Sequence, residues 1–231
     1  MPFQGGLSYN VDIVMCIDKT GSMTPILGKV KANALSFYDM FIQEMNEKGR
    51  SVEALRIKVI AFGDYGCDAQ PMISSKFFEL PAESSDFEAF INGITAEGGG
   101  DEPENALEAI AHAIKSDWTQ EGDVRRHVIL MFTDTSALDL GARTDFSKDD
   151  DPMPMPSSLA ELGEWWDEME DRAKRMVLFA PNASPWDELP LAWQQIIHAP
   201  TDSNGGCDEI DIQDAIALLV NSISATTGIQ Q

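Results

Sequence analysis

Cysteine, basic side chains and long apolar runs are all scarce in this 231-residue chain. Its three cysteines, Cys16, Cys67 and Cys207, are odd in number and show no C-x-x-C spacing, which argues against a disulfide framework or a zinc site. They read as reduced thiols of a core. Lys and Arg total 16 against 39 Asp and Glu, a net charge of −23 that repels phosphate backbones and anionic lipid, so neither nucleic acid nor a membrane is an expected partner. No stretch approaches the roughly 18 to 20 apolar residues of a spanning helix. Met1 to Asn10 has neither a basic nor an apolar signal region, and a cytoplasmic address is expected. No G-x-x-x-x-G-K-S/T or G-x-S-x-G occurs, and His112, His127 and His198 are scattered through predicted regular elements. Without a positioned base no hydroxyl is activated as a nucleophile. The expectation is a non-enzyme with no catalytic residues.

What is present is a 43% hydrophobic chain, sufficient for one sizeable core over residues 1–231, with regular structure from about 9 to 225. Apolar runs predict strands at Val11 to Ile17, Leu55 to Phe62, Ser74 to Leu80 (an edge), Val128 to Phe132, Met176 to Ala180 and Ile196 to Ala199. Helical spacing predicts a long helix from Pro25 to Lys48, with further helices over Ser85 to Gly93, Pro103 to Lys115, Leu159 to Arg175, Trp186 to Gln195 and Ile212 to Ala225. Strands alternating with helices imply an α/β fold: a Rossmann-like, doubly wound, mostly parallel sheet with helices on both faces.

The first strand runs directly into Asp18-Lys19-Thr20-Gly21-Ser22-Met23. A carboxylate and two hydroxyls at alternate positions can converge where a strand leaves its sheet through a tight turn, and such hard oxygen donors suit Mg²⁺. A second apolar run ends in Asp134, within HVILMFTD. In open parallel sheets, ligands gather at these carboxyl ends, at the switch point of the strand order.

This pattern resembles the metal-ion-dependent adhesion site of von Willebrand factor A (vWA) domains, in an intracellular, bacterial-type form. The first loop of that family reads D-x-S/T-x-S, which Asp18, Thr20 and Ser22 match. A third loop supplies an Asp, here Asp134. A second loop supplies a Thr, and its counterpart GGGDEPENALEAI carries Asp101 at that position. Thr95 is the alternative hydroxyl, with Asp101 then capping the following helix. Asp101 is preferred for its distance from the helical run NALEAI. The resemblance implies a six-stranded domain that holds Mg²⁺ (or Mn²⁺) through Asp18, Thr20, Ser22, Asp101 and Asp134, and through it a protein partner's carboxylate. Asp101 would add a negative charge, tightening the metal and making an anionic ligand less welcome.

Other readings compete. DKTGS at Asp18 to Ser22 also resembles the phosphorylated-Asp motif of P-type ATPases, which leaves as alternative a Mg²⁺-dependent phosphotransferase with Asp18 as nucleophile. The membrane helices and further phosphate motifs of that family are absent from the sequence. Asp18 and Thr20 could also merely cap the next helix, although this would leave Asp134 unexplained. Gly98, Gly99 and Gly100 before a helix suit a phosphate, but Asp101, Glu102 and Glu104 crowd that helix start. Finally, Thr135 to Ser158 is a long polar connection containing Asp149, Asp150, Asp151, Pro152, Pro154 and Pro156. Such loops are often functional, and this one begins beside the proposed metal. Trp165 and Trp166 beyond it point about 100° apart on a helix, so either one serves as an interface anchor or both are largely core.

Overall fold

The computed structural model describes residues 7–66, 68–98, 103–140 and 153–225. Among these residues seven strands form one sheet: β1 Ser8–Asp18, β2 Ser51–Phe62, β3 Met72–Ser74, β4 Phe78–Leu80, β5 Val124–Phe132, β6 Lys174–Pro181 and β7 Ile196–Thr201. The order is β3-β2-β1-β5-β6-β7, with β4 also pairing with β2. The β2, β1, β5, β6 and β7 ladders are parallel, while β3 and β4 are short antiparallel edge pieces on β2. The predicted edge strand is therefore two strands sharing one position in a six-position sheet, separated by Ser75 to Phe77. Seven helices accompany it among the described residues: α1 Thr24–Asn33, α2 Phe37–Glu47, α3 Ser84–Gly93, α4 Ala106–Ile114, α5 Leu159–Glu168, α6 Leu189–Ala192 and α7 Ile212–Ser224.

The apolar runs of the central strands are continuous because both faces are covered. Along β1, Val11, Ile13, Met15 and Ile17 enter a core shared with α1, α2, α3 and α7, while Val14 and Cys16 enter a second core with α4, α5 and α6. β5 divides in the same way, with Val128, Leu130 and Phe132 on the first side and Ile129 and Met131 on the second. The expected Rossmann-like architecture is observed.

Three expected helices are altered. The long helix from Pro25 to Lys48 is broken into α1 and α2 at Ala34 to Ser36. There Asn33 Nδ2 donates to the Lys29 carbonyl (2.8 Å), Ser36 Oγ donates to that of Asn33 (3.2 Å), and the Ser36 N–H also bonds Asn33. Short polar side chains that bond neighbouring carbonyls tighten and bend a helix. The helix expected over Leu159 to Arg175 stops at Glu168, because Lys174 and Arg175 already belong to β6. Their charged heads lie on helix-end carbonyls, so a charged segment that reads as helix surface is strand. Of Trp186 to Gln195, only Leu189–Ala192 is helical.

Candidate metal centre

The strand order turns between β1 and β5: from β1 the chain moves outward to β2 on one side, and on the other side lie β5, β6 and β7. Asp18 ends β1 and Asp134 follows β5 by two residues, so both stand at the switch point, where a crevice opens at the carboxyl edge. Asp18 is fully buried and Asp134 is 1% exposed.

The local chain folds around these carboxylates. Asp18 Oδ1 accepts from both the Thr20 N–H (2.9 Å) and Thr20 Oγ1 (2.7 Å). Thr20 Oγ1 lies 3.3 Å from Ser22 Oγ, which donates to Asp134 Oδ1 at 3.1 Å. A continuous network thus runs from Asp18 through two hydroxyls to Asp134. Neither Thr20, which precedes the 3-10 turn Gly21–Met23, nor Met23, which precedes α1, makes a side-chain capping bond. The helix-capping reading of Thr20 therefore fails, and its hydroxyl is spent on the site. Lys19 lies between the two site residues but turns away. It is 2% exposed and pairs with Asp68 at 3.4 Å.

Two positioning groups were not singled out from the sequence. Thr133 Oγ1 donates to Asp18 Oδ2 at 2.9 Å. The register explains it: Ile17 is level with Phe132, so Asp18 and Thr133 are level next and share a face. Gly206, in the loop between β7 and α7, donates its N–H to Asp134 Oδ2 at 2.8 Å, and Asn204 N–H bonds the Asp134 carbonyl. A Cβ at Gly206 would lie 2.1 Å from the Ser22 carbonyl oxygen, at φ +61, so glycine is required where this loop meets the first. Thr133 could be suspected from its position beside Asp134, whereas Gly206 carries no local signal.

Burial pushes the Asp18 carboxyl up to about 6 from its ordinary 3.8. Hydrogen bonds from Thr20 and Thr133 oppose this rise, and the Asp134 charge adds to it. The network opens into a cleft of about 200 Å³ lined by Thr20, Gly21, Ser22, Gly98, Glu104, Asp134 and Thr135. Among the described residues no group of three or more His, Cys, Asp or Glu forms a metal cluster, so an ion here would rest on carboxylates and hydroxyls together. That donor set fits a hard divalent cation: buried carboxylates whose partners in the chain are neutral donors favour a positive charge beside them.

The remaining sequence expectations fall as follows. Asp101 lies outside the described residues, as do Cys67, Gly99, Gly100, Glu102, Asp149, Asp150, Asp151 and Pro152. Thr95 is exposed, and Gly98 accepts the Gly21 N–H through its carbonyl at 3.4 Å. Cys16 and Cys207 are free and buried, and burial pushes both thiols up to about 12. His127 Nε2 bonds the Thr119 carbonyl and His198 Nε2 that of Ala180, both at 2.9 Å. Trp166 is core, its Nε1 donating to the Gln194 carbonyl, while Trp165 is half-buried beneath Lys115. Trp186, read only as part of a helix, is fully buried and donates to the Thr135 carbonyl at 2.8 Å, anchoring the start of the long loop.

A doubly wound sheet with two strand-end carboxylates tied together by hydroxyls at its switch point defines a class: α/β domains with an oxygen-donor site at the carboxyl edge. The sequence profile of the von Willebrand factor A domain matches residues 12–147, and the chain belongs to that family. No curated protein sequence matches it significantly. Solved structures of similar fold include the pilus adhesin SpaC of Lactobacillus rhamnosus GG (12% identity, TM-score 0.55, covering 95% of this chain and 32% of the adhesin). Others are a von Willebrand factor type A protein of Catenulispora acidiphila (13% identity, TM-score 0.54, 94% and 43%) and the PilB minor pilin of Streptococcus sanguinis (12% identity, TM-score 0.56, 97% and 63%). The chain thus spans less than two thirds of each of these proteins. Among the described residues no helix is long and apolar enough to cross a membrane.

Proposed function

We propose that this domain is a metal-dependent protein-interaction module, in which Mg²⁺ (or Mn²⁺) is held by Asp18, Thr20, Ser22 and Asp134 and a protein partner docks on the same face. The observation that carries this reading is the pair of buried carboxylates at the ends of neighbouring strands, joined through Thr20 and Ser22 and facing a cleft. Membership of the vWA family supports it, as does the fact that one protein of similar fold is by name an adhesin. The ion would supply a positive centre with exchangeable positions. The chain's own residues orient the donors, with Thr133 fixing Asp18 and Gly206 fixing Asp134. The module works without turnover and in a reducing compartment such as the cytoplasm, in keeping with its buried thiols.

The test is thermal unfolding with and without Mg²⁺, followed by partner capture. A ligand bound only by the folded state at one hundred times its Kd stabilises by about 2.7 kcal/mol, which for a domain of this size is a shift of roughly 5–10 °C. Asp18→Ala should remove the shift while the far-UV spectrum is retained, and a partner held on immobilised protein in Mg²⁺ should be released by chelator. An undiminished shift in Asp18→Ala would end this assignment.

A further inference from the structure

Among the described residues, the cleft holds one carboxylate more than the first and third loops supply. Glu104 stands two residues before α4, is 1% exposed and lines the cleft beside Thr20, Ser22 and Asp134. Its main chain is fixed from two sides. The Glu104 carbonyl accepts the Leu138 N–H at 2.8 Å, and the residue forms a parallel bridge with Ala137, both in the segment that follows Asp134. The next residue, Asn105, donates its N–H to the Gly63 carbonyl at 3.3 Å and accepts the Tyr65 N–H on Oδ1 at 2.9 Å, which ties it to the end of β2. Glu104 is thereby built into the wall of the cleft and is not a rim charge.

Building on the reading that this cleft holds a divalent ion, we propose that Glu104 is a specificity-determining residue, the carboxylate that sets the charge of the loaded site and hence the chemistry of its ligand. Among the described residues, Asp18 and Asp134 balance a divalent ion, and Glu104 adds one further negative charge to them. Two consequences follow from Coulomb's law in a poorly solvated cleft. The ion is held more tightly than two carboxylates would hold it. An incoming carboxylate is repelled, so the exchangeable position takes a neutral oxygen: an amide or hydroxyl side chain, or a main-chain carbonyl of the partner.

Glu104→Gln keeps the shape and removes the charge, while Glu104→Asp keeps the charge and shortens the arm. Mg²⁺ binding is measured by calorimetry on wild type, both variants and Asp18→Asn. Acetate and acetamide binding to each Mg²⁺-loaded protein is then followed by NMR shifts. Glu104→Gln is expected to bind Mg²⁺ about 10–100-fold more weakly, the usual cost of removing a group that supports a metal site. It should also bind acetate at least about tenfold more tightly than wild type does, with acetamide unchanged. Glu104→Asp should still reject acetate. Equal Mg²⁺ affinity in wild type and Glu104→Gln, or equal acetate binding, would overturn the role of Glu104. The parent reading fails separately, through wild-type Mg²⁺ affinity in Asp18→Asn.

Discussion

The two edges of the sheet handle buried charge in opposite ways. At the amino edge, Asp12 on β1 faces Arg56 on β2 in register, and Arg56 Nε and Nη2 reach its two oxygens at 2.8 and 2.6 Å. Arg126 and Arg175 donate to the Ile223 and Ser222 carbonyls at the end of α7, where the helix dipole is negative. Burial, helped by the neighbouring Arg126, draws the Arg175 guanidinium down to about 10. Lys174 serves the end of α5 through the Trp166 carbonyl and pairs with Asp171 at 2.8 Å. Each of these charges meets an opposite charge or dipole within the chain. At the carboxyl edge, Asp18 and Asp134 meet hydroxyls and N–H groups instead, and buried Lys19 nearby is committed to Asp68. Charges that hold the fold together are neutralised internally. Charges left with neutral donors keep their capacity for an external ion.

The largest expected effect is at the amino edge. Arg56→Leu leaves the 1%-exposed Asp12 carboxylate with the Thr119 N–H (2.6 Å) but without its guanidinium, and removing one partner of a buried pair costs about 3–5 kcal/mol. Because the Arg56 side chain is 25% exposed, the lower end is expected, read as a fall in the urea midpoint at unchanged m-value. A loss below about 1 kcal/mol would mean that this pair behaves as a surface pair and would break the comparison.

At the carboxyl edge the sign reverses. A carboxyl whose pKa is higher folded than unfolded stabilises the fold below its unfolded value, and this contribution is lost as pH rises through the folded one. For Asp18 the window is from about 3.8 to about 6, and the size is about 3 kcal/mol at most. Metal-free protein should therefore gain stability from this group as pH falls from 7 to 4, and Asp18→Asn should remove that gain and be at least as stable as wild type at pH 7. Mg²⁺ should reverse the trend, since it competes with the proton. Melts at pH 5 and 7.5, with and without Mg²⁺, read both effects.

A smaller change is expected at Thr133. Thr133→Val removes the donor to Asp18 Oδ2 in a fully buried place and should cost about 1–2 kcal/mol while weakening Mg²⁺ binding. Thr133→Ser should restore the binding, which separates a positioning role from simple packing loss. The smallest effect is reserved for a pair in neither edge site: Glu168→Gln breaks the solvent-exposed contact to Lys115 and should change stability by less than about 1 kcal/mol, lost in high salt.

Much of this was legible locally. A buried parallel strand needs an unbroken apolar run, and the turn that ends it needs short oxygen-bearing side chains, so β1, Asp18, Thr20 and Ser22 are written in one contiguous stretch from Ser8 to Ser22. The same holds for β5 and Asp134. The break between α1 and α2 and the early start of β6 were not legible. Both depend on what a polar side chain bonds to, which residue type alone leaves open.

The sequence by itself determined the alternation of strands and helices, the strand-end carboxylates and the excess of negative charge, because periodicity, turn chemistry and composition are properties of neighbouring residues. Tertiary structure alone decided which groups complete the site. Thr133 reaches Asp18 only through the β1–β5 register, Gly206 reaches Asp134 only through a loop 72 residues away, and Glu104 enters the cleft only because its main chain is held against the segment after β5. These groups come from distant segments, and their meeting is fixed by strand pairing and loop docking, which no local pattern encodes.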